Sequence, residues 1–370
     1  MSRSPMRVLL ACVLLAAGGA AADIAAAPAA AATAAAATAG ATTAAAPDPA
    51  SDPIPVKVMV VNTFSLEAQP WLAALAPRRR VRVPGLSADY PDVACTDDGI
   101  CQVTTGMGHA NAAASMMALL LSGRFDLRRT YFLIAGIAGI NPAYGTMGSV
   151  TWARYAVDVG LTHEIDARER PPSWPDGFFG IGTDGPGEKP KFEYRTEMFH
   201  LDDGLESRAF TLSRSAQLED AADAAAYRRH YPFAPANLPP AVTECDTAAG
   251  DTFWSGARLG EYAARWTRLL TDGKGRYCTT EEEDTALMNA LTRGAGEGRI
   301  DLRRVMILRS GSDFDRPYPG QSAYDCLIAQ RAVDGAVHIA AVNLVHAGLP
   351  VVRAIAGNWA RWADGVPPAP

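Results

Sequence analysis

The sequence predicts an α/β fold of three layers, with helices on both faces of a central mixed sheet. Three observations carry this. Short apolar, β-branched runs such as Val56–Asn62 and Tyr131–Ala138 have strand length and end in polar or Gly-rich turns. Segments with helical apolar spacing, such as Ala110–Ser122, lie between them. The two kinds alternate across 53–366 without internal repeat or Pro/Ser-rich break, so one large domain is the simplest organisation.

In chain order, Val56–Asn62 is a buried strand and Leu66–Leu75 the helix behind it. Val81–Pro84 and Ile100–Thr104 read as strands around Asp98-Gly99, a strong hairpin signal. Cys95 and Cys101 bracket that turn, either as two reduced buried thiols or, as we expect, as a disulfide clip. Ala110–Ser122 is a helix, Tyr131–Ala138 a fully apolar strand and Gly148–Val159 a strand pair. Pro171–Lys191, rich in Pro and Gly, is an irregular surface excursion. Asp220–Arg229 and Trp254–Leu270 are helical, and Glu281–Leu291 is a helix whose acidic first turn suits the helix dipole. Glu281 and Glu282 read as its solvated start. Val305–Arg309 is a strand, and Ser322–Gly348 holds one long helix or two.

The first 22 residues read as a signal peptide. Arg3 and Arg7 precede an apolar run from Val8 to Ala17, and small residues from Gly18 to Ala22 offer a cleavage site. Residues 23–52, nearly all Ala, Thr and Pro, have no amphipathic pattern and read as a disordered linker. The mature chain is therefore expected to be periplasmic or secreted. No later stretch reads as a membrane span. A net charge of −6 argues against nucleic acid as a partner, but not against a small neutral ligand. Neither clustered His nor Cys-x-x-Cys marks a metal site, and no cofactor is expected.

In sheets of this kind ligands bind outside the carboxyl ends of the strands. The segments to search are Asn62–Glu67, Thr104–His109, Ala135–Asn141, Ala248–Trp254 and Ser310–Arg316. Thr105-Gly106-Met107-Gly108-His109 is Gly-rich and opens a helix, so its exposed N–H groups suit an anion or a sugar oxygen. Taken alone it is a tight turn. Ala135-Gly136-Ile137-Ala138-Gly139 lets a backbone approach a ligand or a neighbouring strand.

The order of these segments is more specific than any one of them. Val58–Glu67, Thr105–Ala113, Ile134–Gly139, Gly250–Trp254, Glu281–Ala286 and Arg309–Asp313 together resemble the nucleoside phosphorylase and nucleosidase superfamily, and within it the purine nucleoside permeases. The resemblance spans Val56 to Asn358 and implies a nucleoside-phosphorylase-like fold with a purine nucleoside as ligand. By the same resemblance Glu67 activates the attacking water, Phe253 stacks on the purine, and Trp254 offers backbone groups to the base edge. Glu283 accepts the ribose hydroxyls, where a two-oxygen carboxylate suits a vicinal diol. Asp313, oriented by Ser312, protonates the purine. Thr105, Gly106, Gly136 and His109 are further ligand-binding candidates. The family motif has an apolar residue where Glu282 stands.

Bacterial hexameric-type phosphorylases of this superfamily hold phosphate with an Arg just before the Gly-x-x-Gly turn; Ile134 takes that position here, so no cation stands there to balance a dianion. Hydrolysis of the N-glycosidic bond is therefore expected over phosphorolysis. The alternative is a non-catalytic exported nucleoside-binding component that feeds a separate carrier. Dimers are common in related folds, so a homodimer is one option, and the sequence leaves the oligomeric state open.

Overall fold

The computed structural model describes residues 52–368. The expected signal peptide and nearly all of the Ala-rich linker lie outside the described residues. Twelve strands join in one sheet: β1 (Val58–Asn62), β2 (Arg79–Arg82), β3 (Asp92–Cys95), β4 (Ile100–Thr104), β5 (Tyr131–Ile140), β6 (Val150–Ala153), β7 (Tyr155–Asp158), β8 (Met198–His200), β9 (Val242–Glu244), β10 (Asp246–Ala249), β11 (Tyr277–Glu281) and β12 (Val305–Phe314). The path runs β8-β7-β10-β11-β5-β1-β4-β3-β2, with β12 pairing both β5 and β6, and β9 pairing β6.

The sheet is mixed, as expected. β1, β4, β5 and β12 run parallel, whereas β11 is antiparallel to β5 and β6 to β12. β9 continues into β10 across Cys245, so pairing passes from β5 through β12, β6, β9, β10 and β11 back to β5. This part of the sheet closes into a small barrel. Both faces of β5 are buried, which explains its unbroken apolar run. Phe132 and Ile134 enter the core beneath α2 (His109–Leu121) and α6 (Asp284–Gly296). Tyr131, Leu133 and Ala135 enter the opposite core with α8 (Asp334–Gly357). Helices α1 (Ser65–Leu75), α3 (Asp203–Ser213) and α4 (Ala222–Arg228) pack against α8, α7 (Ala323–Gln330) precedes it, and α5 (Ala257–Leu270) covers β7, β10 and β11.

Several boundaries move, each for a local reason. The strand expected to stop at Ala138 runs to Ile140, and the one expected to stop at Arg309 runs to Phe314 with a bulge between Gly311 and Asp313. Glu281 ends a strand and does not start a helix; α6 begins at Asp284. The helix expected from Trp254 begins at Ala257, because Gly256 takes φ +148°, outside the helical range. Helix α3 was not anticipated, although the Asp202 carboxylate caps it by accepting the Leu205 N–H at 2.8 Å. Pro171–Lys191 is irregular apart from a short bridge of Phe178–Phe179 to His163–Glu164.

α8 corrects the expectation that no later segment reads as a span. It has 24 residues and a mean hydropathy of 1.6 over its most apolar 18, enough to cross a bilayer by length and composition. In this fold 67% of that window is buried, facing β12, β5 and α1.

The Cys95–Cys101 disulfide is present, with Cα atoms 4.1 Å apart. A second disulfide, Cys245–Cys278, ties the start of β10 to β11, and Cys326 is a buried free thiol. Loop-closure entropy grows with the loop closed, and these bridges span 6 and 33 residues of sequence. Replacing Cys245 and Cys278 with Ser should therefore cost about 3–4 kcal/mol, against about 2 kcal/mol for Cys95 and Cys101. Urea unfolding of the two double variants under oxidising conditions checks the order.

Candidate active site

β12 carries Arg309 into the side of the sheet covered by α2 and α6, where it is fully buried. Its register partner on β5 is Gly136, and a Cβ there would collide with the guanidinium. The glycine thus clears a path for Arg309, and its open side faces Arg309 and Glu67. The guanidinium donates two hydrogen bonds to Asp284, from Nε at 3.0 Å and Nη2 at 2.6 Å. It also donates to Glu281 at 3.1 Å and to the Ile137 carbonyl at 3.2 Å, and lies 3.6 Å from Glu283. Glu281 is thus not a solvated helix start: Arg309 and the N–H groups of Glu283 and Asp284 bind it inside the protein. Burial pushes its carboxyl far up, with Asp284 adding to the rise and Arg309 opposing it.

Glu67 lies in the first turn of α1 but points inward and is fully buried. It accepts hydrogen bonds from the Thr63 N–H at 2.7 Å, the Thr63 hydroxyl at 2.9 Å and the Ile137 N–H at 2.8 Å. Burial pushes its carboxyl up to about 7, against Arg309 and the two amides, with Glu283 adding to the rise. Asp313 sits just past the bulge in β12, opposite Gly139. Burial lifts it to about 6; Ser312 opposes the lift with a hydroxyl bond at 2.8 Å, and Asp315 reinforces it. Ile137 and Gly139 are two residues apart on β5, so Glu67 and Asp313 attach to the strand roughly 7 Å apart. Both carboxyls titrate near neutrality, where each can hold or release a proton.

The Gly-rich turn joins this group through Glu283, which accepts the Gly108 N–H at 3.0 Å. Gly108 at φ +82° and Gly106 at φ +91° take conformations that L side chains rarely adopt. The Thr105 hydroxyl is buried and donates to the Gly106 carbonyl at 2.9 Å, while the Gly106 N–H bonds the Thr63 carbonyl. His109 opens α2; its N–H bonds Asp251 at 2.7 Å and its Nε2 lies 3.3 Å from the Thr285 hydroxyl.

The aromatic pair divides. Phe253 is 61% exposed on the loop before α5. Trp254 instead lines a cavity of about 270 Å³ with Tyr262, Phe178 and Val159, its ring 6.3 Å from Tyr277. Thus Glu67, Gly136 and Glu283 gather at Arg309, Thr105 and Gly106 join them through Thr63, and His109, next to Gly108, bonds Asp251 and Thr285 instead. Ser312 and Asp313 lie at the end of β12, where the Ser312 hydroxyl bonds Asp313 and the Ala138 carbonyl rather than a member of this group. Among the described residues no His, Cys, Asp or Glu cluster is set to hold a metal ion.

Arg309, Asp284, Asp158, Thr285 and Asp251 also belong to this site, and none of them stands out as functional in the sequence. One signal was available. An arginine inside the strand Val-Met-Ile-Leu-Arg must be paired when buried, and the run Glu-Glu-Glu-Asp at 281–284 is its natural partner.

A family model described as purine nucleoside permease matches residues 55–367. A “probable purine nucleoside permease” of Schizosaccharomyces pombe is 42% identical over 318 residues, covering 83% of this chain and 90% of that protein. A purine nucleoside permease of Candida albicans is 41% identical over 308 residues, covering 82% and 75%. Among solved structures, a 5′-methylthioadenosine/S-adenosylhomocysteine nucleosidase of Neisseria meningitidis superposes with a TM-score of 0.50 at 16% identity, covering 80% of this chain and 99% of that one. That likeness shows a shared nucleoside-phosphorylase-like fold.

Two outcomes follow from the buried charges. Arg309→Met leaves several carboxylates without their cation and should cost about 3–5 kcal/mol in urea unfolding. Arg309→Lys should not restore the loss, since one ammonium cannot reproduce the forked contacts. Folding raises Glu67 from 4.5 to about 7, so its contribution is intact at low pH and is lost as pH rises through that window. Relative to wild type, Glu67→Gln should therefore be more stable at pH 8 than at pH 5, by up to about 3 kcal/mol.

Proposed function

The chain belongs to the purine nucleoside permease family, and we propose that it binds purine nucleosides and hydrolyses their N-glycosidic bond. The observation that carries this reading is the pair of carboxyls, the buried Glu67 and the half-buried Asp313, lifted to about 7 and about 6 beside one strand. A pure binder has no use for two such groups, whereas glycoside cleavage needs one acid and one base.

In the proposed reaction Asp313 gives its proton to the purine while the bond from C1′ to the base nitrogen breaks and its electron pair moves into the base. The sugar passes through an oxocarbenium-like state. Water attacks C1′, and Glu67 takes the proton that water loses. Glu283 holds the ribose hydroxyls, and the surrounding carboxylates favour the cationic sugar. Exchange with solvent returns a proton to Asp313 and removes one from Glu67. Ser312 orients Asp313, and the exposed Phe253 stacks on the base.

Three contacts support hydrolysis over phosphorolysis. The helix-start amides of Gly108 and His109, the natural anchors for an anion, already bond Glu283 and Asp251. Arg309 is committed to carboxylates. Ile134 is a buried core residue.

The second reading is a binding component that passes nucleosides to a separate carrier, in keeping with the word permease in the family description. It needs Glu283 and Phe253 but neither titrating carboxyl. In both readings we place the mature chain outside the cytoplasm, on the strength of the leader-like first 22 residues.

The full chain, incubated with adenosine, inosine and guanosine with and without phosphate, separates these by chromatography of free base. Release without phosphate, reduced at least 10²-fold in Asp313→Asn, is the expected result. Release only with phosphate overturns the hydrolytic step, and binding without release favours the carrier-feeding reading. The active form, Asp313 protonated and Glu67 ionised, is the minor of the two singly protonated forms, so the pH–rate profile should be a narrow bell peaking between about 6 and 7 at a fraction of the full rate.

A further inference from the structure

We infer that His109 and Asp251 form a seat for the nucleoside's 5′-hydroxyl, which makes the site selective for nucleosides with a free 5′-hydroxyl over 5′-thioethers and 5′-phosphates. The inference rests on the proposed placement of the base at Asp313 and the ribose diol at Glu283.

Position comes first. β12, which carries Asp313, is followed across the sheet by β5, then β11, which leads to Glu283, then β10, which leads to Asp251, and then β7, which ends at Asp158. His109 is bound to the far members of this series, through Asp251 and Thr285. Glu283 therefore stands between Asp313 and His109, and Gly108, which bonds Glu283, precedes His109 directly. In a ribose the C2′ and C3′ hydroxyls likewise lie between C1′, which bears the base, and C4′, which bears the 5′ carbon. A sugar held at Glu283 with its base toward Asp313 sends its 5′ group toward His109.

The chemistry agrees. Asp158 is buried, and one of its oxygens accepts the N–H groups of Gly160 and Leu161 at 2.8 and 2.9 Å. The other accepts the Thr285 hydroxyl at 3.2 Å. That hydroxyl has one proton, so toward His109 Nε2 it can only accept. The relay fixes the ring and leaves Nδ1 as its free polar atom, 3.9 Å from the Asp251 carboxylate. That gap is too long for a direct hydrogen bond and suits a hydroxyl seated against both groups. A hydroxyl can give its proton to Asp251 and accept from an imidazolium Nδ1–H, or give its proton to a neutral Nδ1. A thioether offers no proton. A 5′-phosphate would meet the negative charge of Asp251 and Glu282; Asp251 and Glu283 act on the Glu282 carboxyl alike.

The test compares adenosine, 5′-deoxyadenosine, 5′-methylthioadenosine and adenosine 5′-phosphate with the full chain, by base release and by calorimetric binding. Wild type should favour adenosine over each of the others by at least about tenfold in kcat/KM, or in Kd if no base is released. In His109→Ala that ratio should fall toward one, through loss of adenosine affinity. Thr285→Val, which frees the ring without removing it, should lower the ratio partway, and His109→Gln serves if the alanine variant does not fold. Equal use of adenosine and 5′-deoxyadenosine by wild type overturns the inference, as does a His109 variant that weakens both equally. Absence of turnover with a preserved binding ratio would sink the hydrolytic reading alone; absence of nucleoside binding would sink both.

Discussion

A single buried guanidinium organises this molecule. Arg309 follows the apolar run Val305–Leu308 in the middle of β12, and desolvating it is tolerable only because Asp284, Glu281 and Glu283 converge on it. That requirement fixes where β11 must end and where α6 must begin, since all three acids come from the junction between them. It also fixes Gly136, whose missing side chain is the space the guanidinium uses. Glu67 then sits beside a strong positive charge yet away from water, and the balance between the two places its proton affinity near neutrality. The local geometry of the proposed chemistry is thus a consequence of burying one cation.

Much of this was legible in the sequence. β5, α2 and the two-faced sheet follow from apolar pattern alone, because these elements carry their own periodicity. The hairpin clip at Cys95 and Cys101 follows from Asp98-Gly99. What escaped notice lacks a local signature. β10 reads Asp-Thr-Ala-Ala, with neither alternation nor large β-branched residues, and becomes a strand because β7 and β11 pair with it on both sides. Glu281 looks like the start of an acidic helix until Arg309, distant in sequence, claims it. Whether Glu67 faces water or the interior depends equally on a partner outside its own segment, the Ile137 amide. Local pattern writes elements; long-range pairing writes the site.

The family description speaks of movement across a membrane, whereas the fold is shared with an enzyme that cleaves nucleosides. α8 shows how easily the two are confused. Its composition suits a bilayer, yet the same residues supply the apolar face on which β5 and β12 rest. An apolar helix of 24 residues is what a wide sheet needs on one side, so hydropathy does not separate the two roles.

The bulge between Gly311 and Asp313 has an electrical consequence. In a regular strand Asp313 would point to the same side as Arg309, four residues before it. The extra residue shifts the alternation, so Asp313 pairs with Gly139 and Arg309 with Gly136, positions of opposite parity on β5. Past the bulge the Asp313 carboxyl takes its proton affinity from burial, Ser312 and Asp315, not from the guanidinium. The molecule thus holds two separately tuned proton reservoirs along the end of a single strand, and a change that retunes one can leave the other at its own setting.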